Sequence, residues 1–316
     1  MTTSKNRAEN PASDSKPYLD IYALKKVYET SRGPSVILEG FNLSIQKGEI
    51  VALIGHSGCG KSTVLTMVAG LNEVTAGSII MDGKEVYQPG PDRGVVFQSP
   101  CLLPWMTAFE NVMLGVEQVF FHVSKTKRKQ IAEHFLYRVG LKDAKHKYPG
   151  ELSQGMCQRV GLARAFALQP KLILLDEPFG MLDQLTKLQL QDVLLEILDY
   201  DRTTAVIVTH DVDEAIYIAD KVVMMTNGPA ARVGAILDIN FQRPRDRKTI
   251  MNQPEYFEYR NILLEFLENC ELEKDRINKK GVDDKPLINS PSSANSECNH
   301  ASVEEEKVLS ACRSDK

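Results

Sequence analysis

Apolar and polar positions along the chain change period several times, and each change marks an element. From Leu19 apolar residues alternate through Ile21, Ala23 and Val27 to Tyr28, and the run breaks at Ser31-Arg32-Gly33-Pro34. Two short strand-like runs follow at 35–38 and 41–45, with Lys47-Gly48 as a turn before the continuous apolar stretch 49–54. Period two interrupted by close turns predicts an antiparallel β opening and not a βαβ unit. A helix-like stretch at 63–71 leads to residues 77–86, a hairpin with Asp82-Gly83 in its turn, and to a buried strand at 94–97 that ends at Gln98. From 99 to about 152, periodic apolar positions and the basic cluster 125–129 predict a mostly helical insert, the cluster being a solvated helix face.

Ser153 heads a strongly helical stretch, 154–167, and Pro170 introduces Leu172-Ile173-Leu174-Leu175-Asp176-Glu177. An apolar run without alternation predicts a strand buried on both faces, as in a parallel sheet covered by helices. The next helix carries Leu185, Leu188, Val193, Leu194, Ile197 and Leu198 near a 3.6 period. A further buried strand at 205–209 precedes a helix with Val212, Ala215, Ile216 and Ala219 on one stripe. The run 221–225 is expected to close the sheet, with Gly228-Pro229 as a turn before 235–237. Helical character resumes at 249–269. Residues 1–17 read as a disordered leader. Residues 271–316, rich in Lys, Asp, Glu, Ser and Asn, read as a disordered tail.

Composition narrows the class. Of 316 residues, 43% are hydrophobic and 25% charged, as in an ordinary globular protein, and a net charge of −4 argues against a nucleic-acid surface. The longest apolar runs are strand-length, far short of the roughly 20 residues a membrane helix needs. The N-terminus lacks the apolar core of a signal peptide. Six cysteines show no C-x-x-C pair and no zinc-like spacing, consistent with a reduced setting.

The chemistry begins at Gly55, His56, Ser57, Gly58, Cys59, Gly60, Lys61, Ser62 and Thr63, a G-x-x-x-x-G-K-S loop between a strand and a helix. Its glycines let successive N–H groups point inward, and the helix N-terminus adds partial positive charge, so the loop suits a polyphosphate. Lys61 would reach the β/γ-phosphates and Ser62 would ligate Mg²⁺. The plainer alternative is a glycine turn before a helix. Cys59 lies inside the loop, so its alkylation is expected to block nucleotide binding. Asp176 and Glu177 end a buried strand, where α/β sheets place ligand chemistry. On an extended strand they would point to opposite sides, Asp176 suiting Mg²⁺ and Glu177 the attacking water. Gln98 and His210, each at a strand end, would arrive at the same sheet edge. His210-Asp211 also reads as a plain helix start capped by Asp211. Tyr28 either packs in the first sheet or stacks on a base.

Taken together, the phosphate loop, Gln98, Leu152-Ser153-Gln154-Gly155-Met156, 172–177, Gly180-Met181-Leu182-Asp183 and His210 resemble an ABC-transporter ATPase subunit in order and spacing. The resemblance covers about residues 18–240. It implies an α/β P-loop NTPase fold of the ABC ATPase type, with a mixed core sheet, an antiparallel β subdomain and a helical subdomain at about 99–165. Residues 241–270 would form a C-terminal helical extension. It further implies ATP and Mg²⁺ as cofactors, ATP being sandwiched between two such subunits. By that likeness Tyr28 stacks on adenine, and Gln98 joins the Mg²⁺ site to the helical insert. Glu177 is the base, His210 meets the γ-phosphate, and Asp183 lies at the dimer seam. Ser153 and Gly155 would face the γ-phosphate held by the opposite subunit. The family's usual Leu-Ser-Gly-Gly-Gln is Leu-Ser-Gln-Gly-Met here, with the two phosphate-facing positions kept.

Residues 99–107, with Trp105 the only tryptophan, are similar to the nitrate, sulfonate, taurine and bicarbonate importer branch, nitrate-type subunits above all. Trp105 either packs internally or serves a docking surface. The implied partners are integral membrane permease subunits, a second ATPase subunit (identical or paralogous) and, through the complex, an extracytoplasmic substrate-binding protein, with no nucleic acid. The implied location is peripheral, on the cytoplasmic face of the inner membrane. Other readings are a soluble ABC ATPase acting on DNA or ribosomes, and an unrelated P-loop kinase or GTPase. The first is opposed by the short interval between Gln98 and the signature and by a single ATPase domain, the second by the signature and His210.

Overall fold

A computed structural model describes residues 16–31 and 33–283, with side chains through Lys274. Strands β1 (Leu19–Thr30) and β2 (Gly33–Ile45) pair antiparallel along nearly their whole length. The two short runs expected at 35–38 and 41–45 are one strand. Gly40, at φ +66°, absorbs the break in register, so no turn is needed. A bulge at Ala23 (φ +46°) shifts the phase of β1, and the buried positions run Leu19, Ile21 and then Leu24. Opposite that bulge only glycine fits at Gly77, where a Cβ would lie 2.4 Å from the Ala23 carbonyl oxygen.

The chain continues through β3 (Ile50–Ile54), helix α1 (Lys61–Val68), β4 (Ala76–Met81), β5 (Lys84–Glu85) and β6 (Arg93–Val96). Asp82 and Gly83, both at positive φ, form the tight β4–β5 turn that the Asp-Gly pair predicts. Strands β1, β2, β4 and β5 make one antiparallel sheet in the order β2-β1-β4-β5.

The insert holds α2 (Ala108–Val119), α3 (Lys125–Arg138) and α4 (Gln154–Phe166), capped by Thr107, Ser124 and Ser153. Thr107 and Glu110 form a full capping box. Then come β7 (Leu172–Asp176), α5 (Gln184–Asp201), β8 (Thr204–Val208), α6 (Val212–Ile218), β9 (Lys221–Met225), β10 (Val233–Asp238), α7 (Arg247–Met251) and α8 (Pro254–Asp283).

The second sheet has the order β10-β9-β3-β8-β7-β6, parallel except for β10. The edge beyond β9 is therefore β10, and β9 does not close the sheet as expected. The half-buried alternation of β10 is that of an edge strand with one face in solvent. The inner strands divide their side chains between two cores. Ile50, Ala52, Ile173, Leu175, Ala205 and Ile207 join the core under the helical layer. Their neighbours Val51, Leu53, Leu172, Leu174, Val206 and Val208 join the core shared with α1 and the antiparallel sheet. Alternate side chains of a strand leave by opposite faces, so strands sandwiched between two layers must be apolar throughout. Each such Val, Leu or Ile contributes roughly 1.5–3 kcal/mol of burial.

The compact unit runs to Asp275, and Leu263 of α8, fully buried, belongs to its core. The second unit begins at Arg276, and only the end of α8 is described in it. Disorder expected from residue 271 is corrected for 271–283, which continue the helix. Their Glu, Leu, Lys and Arg are good helix formers even where apolar residues are few. The leader at 1–15 and the tail from 284 lie outside the described residues. Among the described residues no helix is long and apolar enough to cross a membrane.

Candidate active site

The segment between β3 and α1 is a tight loop whose glycines are dictated by their neighbours. Gly60 caps α1 at φ +95°, and a Cβ there would sit 3.0 Å from Leu38 Cδ2 and 3.1 Å from Ile37 Cγ2, both on β2. No side chain caps this helix, and its first turn carries no acidic residue. The first helix-internal bond is Val64 N–H to the Gly60 carbonyl, so the preceding N–H groups are left for an anion. Lys61, 6% exposed, donates from Nζ to the carbonyls of Gly55 (2.8 Å) and His56 (3.1 Å), which fixes its charge across the loop mouth. Glycine cradle, helix dipole and buried ammonium together fit a polyphosphate. Cys59 is buried and its thiol is pushed up by that burial, so little thiolate forms.

Because β7 lies between β6 and β8, the ends of these three strands deliver Gln98, Asp176-Glu177 and His210 side by side. Ser62 Oγ donates to Asp176 Oδ1 across 2.9 Å, joining the loop to β7. Burial pushes the Asp176 carboxyl up, with the Ser62 bond opposing. Oxygen donors of this kind suit Mg²⁺.

Glu177 departs from the extended geometry expected of it. Its φ is +44°, in the left-handed region, with its N–H bonded to the Val208 carbonyl at 2.9 Å and its own carbonyl accepting from Gly180 N–H at 3.1 Å. That turn, and not strand alternation, separates its carboxylate from that of Asp176. Glutamate in this conformation stores about 1–3 kcal/mol of strain, held in place by those bonds. Gln98 Nε2 donates to Glu177 Oε2 at 3.3 Å, and His210 Nδ1 stands 3.4 Å from the same oxygen. The structure thus brings Gln98, Glu177 and His210 onto one carboxylate oxygen.

Several supporting residues carried no sequence signal. Lys187 on α5 bonds Asp211 Oδ2 (2.7 Å) and Glu214 Oε2 (3.0 Å), bracing the segment that holds His210, while Asp211 caps α6 as foreseen. Gln158 donates to the Phe97 carbonyl, and Arg164 donates to the carbonyls of Cys101 (2.9 Å) and Pro100 (2.7 Å). Helix α4 therefore grips the segment that follows β6. Asn111, fully buried, pins residues 103–107, its oxygen accepting from Leu103 N–H and its amide nitrogen lying within hydrogen-bond reach of three carbonyls. None belongs to a local motif; each acts through a partner distant in the fold or through loop carbonyls.

Ser153 caps α4 by accepting from Met156 N–H, and Asp183 caps α5 by accepting from Thr186 N–H. Gly155 packs against α5, where a Cβ would lie 2.5 Å from Thr186 Cγ2. The signature helix and the start of α5, capped by Asp183, thus meet at one seam. Tyr28 is partly exposed; its hydroxyl accepts from Asn72 Nδ2 at 2.7 Å, and the Lys26 ammonium lies 4.7 Å from its ring centroid. Trp105 is 69% exposed, which removes the internal-packing alternative.

Phosphate loops at a sheet edge serve many nucleotide enzymes. A helical insert between β6 and β7 that ends in its own glycine-bearing helix narrows these to ATP-binding cassettes, and the chain belongs to the ABC transporter family, which it matches over residues 38–180. It is an ATPase of that family.

Among its relatives is the bicarbonate transport ATP-binding protein CmpD of Synechococcus elongatus, 50% identical over 253 residues, or 80% of this chain and 91% of that one. The nitrate import ATP-binding protein NrtD of the same organism is 48% identical over 250 residues (79% and 91%). The nitrate transport protein NasD of Klebsiella oxytoca is 49% identical over 253 residues (80% and 97%). Among solved structures, a dimeric post-hydrolysis state of the ATP-binding cassette MJ0796 bound to ADP and Pi superposes with a TM-score of 0.63 at 29% identity. It covers 71% of this chain and all of that one.

Proposed function

We propose that this chain is the energy-coupling ATPase of an importer for a small oxyanion. The observation that carries the reading is the convergence of Gln98 and His210 on Glu177 Oε2, beside the Ser62–Asp176 pair. Lys61 and the N–H groups at the head of α1 bind the triphosphate, and Tyr28 stacks on adenine with the ring face that Lys26 leaves open. Ser62 and Asp176, together with the Gln98 amide, would hold Mg²⁺, which would supply charge neutralisation for the transferred phosphoryl group. Glu177 accepts the proton of the attacking water, and His210 hydrogen-bonds the γ-phosphate side.

Ser153 and Gly155, at the head of α4, serve the nucleotide of a second ATPase subunit, with Asp183 at the seam. The dimeric state of the related cassette supports that arrangement. The second subunit is identical or paralogous. The pair sits on integral permease subunits at the cytoplasmic face of the membrane, and an extracytoplasmic binding protein delivers substrate to the complex. Relatives divide between bicarbonate and nitrate transport, both small planar monoanions, and nitrate is the leading substrate.

Glu177→Gln should keep ATP affinity and lower turnover about 10²–10⁴-fold, the contribution of a positioned base, while trapping a closed dimer on gel filtration. Turnover at the wild-type level would remove Glu177 from this role. Uptake by vesicles reconstituted with the cognate permease, comparing nitrate, nitrite, cyanate, bicarbonate and alkyl sulfonates, identifies the substrate.

A further inference from the structure

Helix α8 comes last among the described elements, yet it touches both sides of the catalytic centre. Near its start, Tyr256 Oη (2.8 Å) and Arg260 Nε (2.9 Å) both donate to Asp213 Oδ1. Asp213 stands in the first turn of α6, three residues beyond His210. Leu263 seats the middle of the helix in the core. Phe266 then packs on β10 so closely that a Cβ on Gly234 would lie 2.6 Å from its ring. One residue on, the Leu267 carbonyl accepts from His56 Nε2 at 2.8 Å, and the Cys270 carbonyl accepts from Asn227 Nδ2.

The bond at His56 reaches the nucleotide site by a short path. A carbonyl can only accept, so the His56 ring carries its proton on Nε2 and donates it to Leu267. A helix carbonyl has a second lone pair for such a donor. The backbone carbonyl of the same His56 accepts from Lys61 Nζ, together with Gly55. Ring and peptide of His56 are therefore tied at opposite ends, one to α8 and the other to the ammonium.

We propose that α8 is a positioning element for ATP: by holding the His56 ring through the Leu267 carbonyl, it sets the pose of the phosphate loop and of Lys61, and so the affinity for nucleotide. This rests on the reading of residues 55–63 as the ATP cradle. The same helix holds Asp213, so the loop and the α6 segment behind His210 share one rigid support.

The test measures KM and kcat for MgATP, and nucleotide Kd by titration, on the full chain. Asn places its amide near the Nδ1 position of histidine, whereas Gln reaches approximately to Nε2. His56→Asn should therefore raise KM and Kd about three- to tenfold, the worth of one hydrogen bond, with kcat changed less than twofold. His56→Gln should restore both. Gly234→Ala displaces Phe266 from outside the loop and should raise KM by a similar factor, and Asn227→Ala serves the same purpose if that variant does not fold. His56→Asn combined with the remote substitution should be no weaker than the worse single variant, since both break one linkage.

Equal affinities for the Asn and Gln variants overturn the proposal. So does an unchanged KM in the remote variant, or full additivity of the two. Lys61→Ala tests the reading beneath it: loss of binding there keeps the cradle whatever happens at His56, and unchanged affinity removes both.

Discussion

Asn111 is the buried polar residue on which the segment leading out of Gln98 depends, and replacing it gives a quantitative test of that dependence. Its side chain accepts from Leu103 N–H at 2.8 Å, and its two amide hydrogens are shared among the carbonyls of Leu103 (3.2 Å), Met106 (3.0 Å) and Thr107 (3.0 Å). In Asn111→Leu two of these groups keep another partner: the Leu103 carbonyl accepts from Met106 N–H, and the Thr107 carbonyl from residue 111's own N–H. Leu103 N–H and the Met106 carbonyl lose the partner that Asn111 supplied. At about 1–3 kcal/mol for each orphaned group, reduced because water can enter an exposed loop, the expected loss is about 2–4 kcal/mol. Urea unfolding followed by far-UV circular dichroism measures it. Trp105 adds an internal reporter, because it is the only tryptophan and sits inside the pinned segment. Its fluorescence anisotropy should fall in the variant even under native conditions. A loss below about 0.5 kcal/mol with unchanged anisotropy would refute the view that Asn111 holds this loop.

Two further outcomes follow from the same geometry. Lys187→Met leaves Glu214 and Asp211 without their cation and should destabilise by about 3 kcal/mol. Burial opposes the charge of both Lys187 and Asp211, but the ammonium is held above its ordinary value by Glu214 and Asp211, and the Asp211 carboxyl below its own by Lys187. The Asp211 contribution is present above the ordinary carboxylate range and is lost as pH falls through the lowered folded value. The Lys187 contribution is lost only as pH rises past the ordinary lysine range. The Glu214 carboxyl is pushed up by burial against the pull of Lys187, so melting temperatures of wild type and variant should converge as pH falls through the carboxylate range, Glu214 taking up its proton first and Asp211 last. Gly155→Ala drives a Cβ to within 2.5 Å of Thr186 Cγ2 and should cost about 1–3 kcal/mol. Adding Thr186→Ser deletes that methyl and should recover most of the loss in thermal unfolding.

Much of the site was legible without coordinates because its signals are local. Gly60 and Lys61 sit in a loop recognised from its glycine spacing, and Ser153 and Asp211 stand before helices as residues of their type are expected to. Continuous apolar runs at 50–54, 172–175 and 205–208 disclosed strands covered on both faces, since no half-exposed strand tolerates that pattern. Where the sequence was misread, longer-range packing overrode the local pattern. A bulge at Ala23 changed the phase of β1, and Gly40 let one strand cross what looked like a turn. β10, with its half-exposed alternation, took the edge expected of β9.

Tertiary structure alone decided the rest. Glu177 turns into the left-handed region because Val208 and Gly180 bond its backbone, and only the order β8-β7-β6 brings Gln98 and His210 to its carboxylate. Lys187, Arg164 and Asn111 are unremarkable letters in a sequence, because a buried bond belongs to a pair and not to a residue. The contact between His56 and Leu267 joins positions 211 residues apart. No periodicity can encode such a meeting; it exists because a helix that needed to bury Leu263 found its place beside the phosphate loop.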